Sequence, residues 1–205
     1  SLLASLSLSG CRQPTDYRES RLLMGTVVSI EIAGLSDSSS SAILEAAWDE
    51  AEALEKIFSR YDPAGELGRI NSRAGTGPVN ISPEMAEVIQ RSQQIGRLSG
   101  GAFDITVAPL MEIWGFFPRR RGRVPSEKEI RAALKLVDGS KLRLDREAAT
   151  VLFEIPGARI DLGGLAKGYI VDRLAARLRR SGVESGLINA GGDIYGLGEK
   201  SGGGP

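Results

Sequence analysis

Strand-like and helix-like apolar patterns follow one another along this chain without a regular alternation, and this constrains the fold more than any other feature. A stretch rich in Val and Ile at residues 22–33 predicts a strand. A helical stripe follows it, formed by Leu44, Ala47, Ala51, Leu54 and Phe58. Parallel α/β folds repeat a strand and a helix in steady order, and that order is absent here. The sequence therefore predicts an α+β fold with mixed or antiparallel sheets and packed helices.

Helix caps and turn residues delimit the remaining predicted elements. The Ser-rich residues 37–41 are predicted to cap the first helix. Pro83, after Ser82, begins a second helix that ends at residues 100–101. The other predicted elements are a third helix with a capping box at 126–129 that reaches about residue 137, a strand pair at 141–144 and 150–155, a fourth helix after Asp161, and strands at 186–189 and 194–197.

Histidine is absent from the 205 residues, and there is a single cysteine. These counts exclude a Ser-His-Asp triad, a histidine zinc site and an internal disulfide within this chain. Chemistry has to use carboxylates, Lys, Tyr, hydroxyls, backbone amides and an oxygen-preferring cation such as Mg²⁺. The 26 basic and 26 acidic residues cancel, so the composition predicts no nucleic-acid partner.

The first residues form a short apolar run that ends in LSGC, with the only cysteine, Cys11, as its last residue. The run is too short to span a bilayer and resembles a bacterial lipoprotein signal. The alternative is a frayed leader with an incidental cysteine. We expect residues 1–20 to be a signal remnant and linker, with a lipid on Cys11 holding the protein on the periplasmic side of the inner membrane.

The C-terminal residues SGGGP follow an apolar and Gly-rich stretch, in the manner of a hairpin tip without its return strand. We expect a sequence truncated at both ends, in which residues 21–205 form one domain that is incomplete at the C-terminus. A short protein with a flexible tail is the alternative.

The segment DLGGLAKGY at residues 161–169 joins a predicted strand to a helix N-terminus. Paired glycines allow the backbone to approach a ligand, and the first helical turn offers unpaired N–H groups. Lys167 lies in that turn and Asp161 adds a carboxylate, so the segment predicts an anion site, most plausibly for a phosphate. A tight turn with Asp161 as N-cap and a solvated Lys167 explains the same residues about equally well.

Two further segments combine small residues with a carboxylate. NAGGD at residues 189–193 follows a strand, and GAFDIT at 101–106 follows a helix. Trp114 and Phe116 come shortly after the second segment, and this grouping suggests a surface on which a planar ring could stack. A β-turn for the first segment and core packing for the aromatic residues are the alternatives.

Taken in order, the motifs resemble those of the FAD:protein FMN transferase (ApbE) family. The matching pieces are MGT at 24–26, YD at 61–62, ELGRIN at 66–71, GAFDIT at 101–106, WGF at 114–116, DLGGLAKGY at 161–169 and NAGGD at 189–193. The resemblance covers nearly the whole chain after the leader. It implies a T-fold-related domain and a magnesium-dependent enzyme that moves FMN from FAD onto a Thr hydroxyl of a flavoprotein subunit in a membrane redox complex, releasing AMP.

The resemblance also implies a set of site residues, although it assigns no catalytic base. Contacts to FAD would come from Met24, Tyr61, Ala102, Phe103, Asp104, Asp161 and Lys167. The backbone carbonyl of Gly164 would be a ligand of Mg²⁺. Members of the family continue beyond the NAGGD strand with a segment that contains a His and the remaining Mg²⁺ ligands, and this segment is absent from the 205 residues. We therefore expect weak or no catalysis by these residues alone.

Two other functions fit the same residues. One is a periplasmic lipoprotein that binds FAD without transferring any part of it. The other is Mg²⁺-dependent hydrolysis of FAD to FMN and AMP, in which water replaces the Thr hydroxyl.

Overall fold

Two antiparallel sheets organise the computed structural model, which describes residues 15–116 and 124–199. The first sheet has the order β1-β2-β6-β7, and its strands are β1 (Thr15–Leu23), β2 (Thr26–Leu35), β6 (Ser185–Ala190) and β7 (Asp193–Leu197). The second has the order β3-β5-β4, from β3 (Val79–Asn80), β4 (Leu142–Asp145) and β5 (Thr150–Phe153). The predicted α+β class is confirmed.

Six α-helices lie between and beside these strands in the described part of the chain. They are α1 (Asp37–Phe58), α2 (Glu66–Ser72), α3 (Pro83–Leu98), α4 (Ala108–Ile113), α5 (Glu127–Leu134) and α6 (Ala166–Arg180). None of the described helices is both long and apolar enough to cross a membrane. The described residues do not include Cys11 and the rest of the predicted leader. They also exclude the predicted hairpin tip after residue 199.

The strand predicted at residues 22–33 is confirmed as β2 from Thr26 onward, but its first residues belong to the end of β1 and to a tight turn. Met24 and Gly25 both have positive φ, 54° and 70°, and join β1 to β2 in register. A two-residue turn with positive φ at both positions matches the twist of the strands that it connects. The first strand begins at Thr15, and so the predicted domain boundary at residue 20 lies inside β1.

The long first helix buries the predicted apolar stripe, but its caps differ from those predicted. Residues 37–41 lie inside α1, whose N-cap is Ser36, and no side chain makes a capping hydrogen bond there. The stripe residues are all buried, together with Trp48. Trp48 donates its indole N–H to Glu19 of β1 at 2.8 Å, and this hydrogen bond ties α1 to the first sheet.

The caps of the next two predicted helices are confirmed. The Ser82 hydroxyl accepts a hydrogen bond from the Met85 amide at the start of α3. Ser126 and Glu129 form the predicted capping box of α5. This helix ends at Leu134, three residues before the predicted end, and a short 3₁₀ helix at Gly139–Lys141 then leads into β4. The short elements α2, α4 and β3 were not predicted.

Helices α1 and α6 pack against each other and against the first sheet, while α3 lies against α1 and against β4 of the second sheet. The buried side chains form one continuous core that includes residues of both sheets. Since α6 begins next to the turns of the first sheet, its N-terminus, the end of α1 and the β1–β2 turn meet at one place.

Candidate functional site

A cavity of about 500 Å³ lies where these elements meet, and it is called the α6 cavity below. Its walls come from the β1–β2 turn, the end of α1 with residues 59–61, the loop at residues 161–163 and the first turns of α6. Four of the predicted FAD contacts line it, namely Met24, Tyr61, Asp161 and Lys167. These residues are far apart in sequence, and the fold brings them together.

Asp161 is the buried carboxylate of the α6 cavity, with only 4% of its side chain exposed. Its Oδ1 accepts the backbone N–H of Gly163 at 2.8 Å, and its Oδ2 accepts Nη1 of Arg60 at 2.7 Å. Asp161 therefore closes a local turn. It is not the N-cap of α6, contrary to one interpretation of the sequence. The N-cap is Leu165, and no side chain caps this helix. In the first turn of α6 the Ala166 amide donates to the Leu162 carbonyl at 2.8 Å, which leaves the Lys167 and Gly168 N–H groups for an anion.

Arg60 lines the α6 cavity, and its surroundings shift its pKa. Partial burial lowers its pKa, but the hydrogen bonds to Asp161 and Tyr61 outweigh burial and raise the pKa above its ordinary value. The guanidinium is therefore cationic at every working pH. Arg60 is not predicted from the sequence, since its partner Asp161 lies 101 residues further along the chain.

Lys167 projects from the first turn of α6 and forms an ion pair with Asp193, at 3.2 Å between Nζ and Oδ2. Asp193 is the last residue of the NAGGD segment and the first of β7. In the turn formed by the NAGGD segment, a side chain at Gly191 would clash with Thr26, because a Cβ there would lie 2.4 Å from Thr26 Oγ1. The NAGGD turn is thus packed closely against the β1–β2 turn, beside the predicted phosphate site.

Met24 is held in a left-handed conformation that is unfavourable for a residue with a side chain. Its backbone N–H donates to Oε1 of Glu55 in α1 at 2.5 Å, and Glu55 also lines the α6 cavity. Glu55 is not predicted from the sequence either, because it is only one of several acidic residues in α1.

The other three predicted FAD contacts lie on a neighbouring loop. Phe103 and Asp104 line a second cavity of about 590 Å³ between α3 and β4, and Ala102 is exposed beside them. Asp104 accepts hydrogen bonds from Thr106 and from the Gly139 amide, so both of its oxygens are engaged within the protein. This loop adjoins the α6 cavity, because the Asp161 amide donates to the Ile105 carbonyl at 2.8 Å.

Gly164, the predicted metal ligand, is exposed and packs under the Phe103 ring, where a Cβ would lie 3.2 Å from Cε2. Among the described residues, no three His, Cys, Asp or Glu side chains are close enough together to hold a metal ion. Mg²⁺ prefers six oxygen ligands in near-octahedral geometry. The residues present therefore do not fit a complete Mg²⁺ site, and the Gly164 carbonyl remains a predicted ligand.

Comparisons with known proteins agree with these motifs. The model of the ApbE family matches residues 24–205. The FAD:protein FMN transferase of Klebsiella pneumoniae is 31% identical over 185 residues, covering 89% of this chain and 56% of the relative. That of Haemophilus influenzae is 30% identical over 210 residues, covering 98% of this chain and 60% of the relative.

Solved structures show the same fold. The flavin transferase ApbE from Vibrio cholerae superposes with a TM-score of 0.83 at 28% identity, covering 90% of this chain and 60% of that one. The apo form of the Pseudomonas stutzeri flavinyl transferase ApbE gives 0.84 at 28% identity, covering 92% and 62%. This chain spans about three fifths of the length of these relatives. The ApbE family model matches the chain from the β1–β2 turn onward, and the chain therefore belongs to the ApbE family.

Proposed function

We propose that this protein is an FAD:protein FMN transferase that moves FMN from FAD onto a Thr hydroxyl of an acceptor flavoprotein. In that reaction the Thr oxygen bonds to the phosphorus of the FMN half, the bridging P–O bond of the pyrophosphate breaks, and AMP leaves. The observation that carries the proposal is the convergence of Met24, Tyr61, Asp161 and Lys167 on one cavity of about 500 Å³. A dinucleotide needs such a site, with an anion subsite beside an aromatic ring.

Different residues of the cavity would bind different parts of FAD. Lys167 and the first-turn N–H groups of α6 would bind the pyrophosphate and hold its charge as the P–O bond breaks. Tyr61, with 63% of its surface exposed, offers a ring on which a planar group can stack. Asp161 would accept a hydrogen bond from a hydroxyl or ring N–H, because each carboxylate oxygen has a second lone pair.

The charges at the cavity favour a cation as a further component. Arg60 and Lys167 are balanced by Glu55 and Asp161, so the charged lining residues leave no net positive charge for a pyrophosphate. The proposal therefore includes Mg²⁺, bound in part by the Gly164 carbonyl, which would supply positive charge at the phosphates. The described residues offer no cluster of carboxylates as further ligands of the ion.

The acceptor and the location are parts of the same proposal that depend on the sequence alone. We propose an acceptor subunit in a membrane redox complex and an inner-membrane anchor through lipidated Cys11 on the periplasmic side. Palmitate or diacylglycerol labelling of Cys11, lost in Cys11→Ser, would support the anchor, and an unlabelled, freely soluble protein would contradict it.

Binding is tested by titrating the chain into FAD and following the fluorescence anisotropy of the flavin. Lys167→Ala should weaken binding about tenfold, as expected for loss of a charged hydrogen-bonding partner. The matched control is Lys128→Ala on α5, which is exposed and does not line the α6 cavity. Equal affinities of Lys167→Ala and Lys128→Ala would count against the α6 cavity as the FAD site.

Transfer is tested by adding Mg²⁺ and a Thr-containing acceptor peptide and separating the products by mass spectrometry. FMN attached to the peptide supports the transferase, whereas free FMN and AMP indicate hydrolysis of FAD. Bound FAD without either product, also in a longer version that includes the family's remaining segment, would indicate the binding protein. Omission of Mg²⁺ should abolish product formation.

A further inference from the structure

Arg60 contacts two predicted FAD contacts at the same time. Its Nη1 lies 2.7 Å from Asp161 Oδ2, and its Nη2 lies 2.8 Å from the hydroxyl oxygen of Tyr61. The guanidinium carbon also lies 4.9 Å from the centre of the Tyr61 ring. No motif includes Arg60, although it lines the α6 cavity.

The contact with Asp161 compensates the charge of a buried carboxylate. A carboxylate that is 4% exposed is strongly destabilised unless a cation or hydrogen-bond donors compensate its charge. Arg60 is the cationic partner, and the Gly163 amide holds the other oxygen. Together the two contacts fix the direction in which the free lone pairs of Asp161 point.

The contact with Tyr61 restricts the rotamers of an exposed aromatic ring. An exposed ring at the end of a helix is free to change rotamer, and binding then has to order it at an entropic cost. The guanidinium contacts both the hydroxyl and the face of the ring, and this limits the orientations that Tyr61 can adopt.

We propose that Arg60 is a positioning residue that pre-orients Asp161 and Tyr61 together for the dinucleotide. The inference rests on the proposed function, since it specifies how the same cavity recognises FAD. A planar guanidinium with several N–H groups can make both contacts, whereas a Lys ammonium can replace the charge beside Asp161 but not the stacked contact on the ring.

This difference separates positioning from a purely structural ion pair. If Arg60 serves only to neutralise Asp161, Arg60→Lys should restore both stability and FAD affinity. If Arg60 also positions Tyr61, Arg60→Lys should unfold close to the wild-type temperature and yet bind FAD several-fold more weakly. Arg60→Gln removes the charge as well and should weaken binding about tenfold or more.

A double-mutant cycle between Arg60 and Tyr61 measures whether the two side chains act together in binding FAD. FAD affinity is measured by flavin anisotropy for wild type, Arg60→Lys, Tyr61→Phe and the double variant. Tyr61→Phe keeps the ring and removes the hydroxyl that Arg60 contacts, so the double variant should lose less affinity than the product of the two single losses. Arg131→Gln, an exposed Arg paired within α5, is the matched control and should bind FAD as the wild type does.

Each outcome distinguishes the inference from the proposed function. If wild type binds FAD and Arg60→Lys binds it equally well, or if the two losses simply multiply, Arg60 is not a positioning residue although the cavity is still the FAD site. If wild type and Arg131→Gln both fail to bind FAD, the proposed function is wrong and the inference falls with it. If Arg60→Gln does not fold, Arg60→Lys and the cycle still decide the question.

Discussion

Two glycines at the end of β7 differ sharply in the space around them. At Gly198, φ is +59° and a Cβ would lie 1.9 Å from the Glu184 carbonyl oxygen. At Gly196, two residues earlier, φ is not positive and a Cβ would have nothing within 4 Å. The strand therefore ends where backbone approaches backbone so closely that no side chain fits.

Gly198→Ala should destabilise the protein by about 2 kcal/mol or more, because a left-handed conformation and a backbone clash both oppose the methyl group. Gly196→Ala is the matched control and should be neutral or slightly stabilising, since Gly weakens a strand interior. Urea unfolding of the two variants measures the difference. Equal free energies of unfolding would show that the chain relaxes at Gly198 without penalty.

The candidate site shows what can be predicted at the scale of single residues. Asp161 and Lys167 were identified because a Gly-rich segment before a helix carries its own chemical meaning. Arg60 and Glu55 were missed because each acts through a partner that only the tertiary structure supplies. The conformation of Met24 was missed too, since a positive φ at Met has no signature in composition.

The N-caps of α1 and α3 provide a comparison at the scale of elements. Both caps are serines, Ser36 and Ser82, in extended backbone conformation. Only the Ser82 hydroxyl accepts a hydrogen bond from the first turn, from the Met85 amide at 3.1 Å. The hydroxyl of Ser36 instead donates to Ser39 at the surface.

Ser82→Ala should therefore cost about 1 kcal/mol of stability, the usual value for loss of a capping hydrogen bond. Ser36→Ala should change the free energy of unfolding by only a few tenths of a kcal/mol, because no capping bond is lost. Thermal or urea unfolding compares the two variants directly. A loss at Ser36 as large as that at Ser82 would contradict the assigned caps.

The helices that were predicted are those with a long apolar period or a polar cap. Helices α1, α3, α5 and α6 have one or both of these signals. In contrast, β3 has two residues and α4 has six, which is too short for a period. The edge strand β1 was missed because charged side chains are interspersed along it and most of its side chains are at least partly exposed.

At the scale of the whole molecule, one cluster of side chains joins helices α1, α3 and α6. The Tyr169 hydroxyl in α6 donates to Glu87 in α3 at 2.9 Å, and its ring packs edge-on against Phe58 of α1 at 5.6 Å. Arg91 also donates to Glu87, at 2.7 Å. Since Phe58 lines the cavity, this cluster connects the helix packing to the site.

Glu87 makes the stability of this packing depend on pH. Burial raises its pKa, but the hydrogen bonds from Tyr169 and Arg91 outweigh burial and lower the pKa below its ordinary value. A carboxyl whose pKa is lower in the folded state stabilises the protein above its unfolded pKa, about 4.3, and this contribution is lost as the pH falls through the folded value. The side chain is 37% exposed, so screening limits the effect to below about 1 kcal/mol.

Glu87→Gln should unfold at a lower temperature than wild type at pH 7, and the difference should shrink towards pH 3. Tyr169→Phe, which removes one of the two donors, should show the same trend, whereas parallel melting curves from pH 7 to pH 3 would rule out Glu87 as the titrating group.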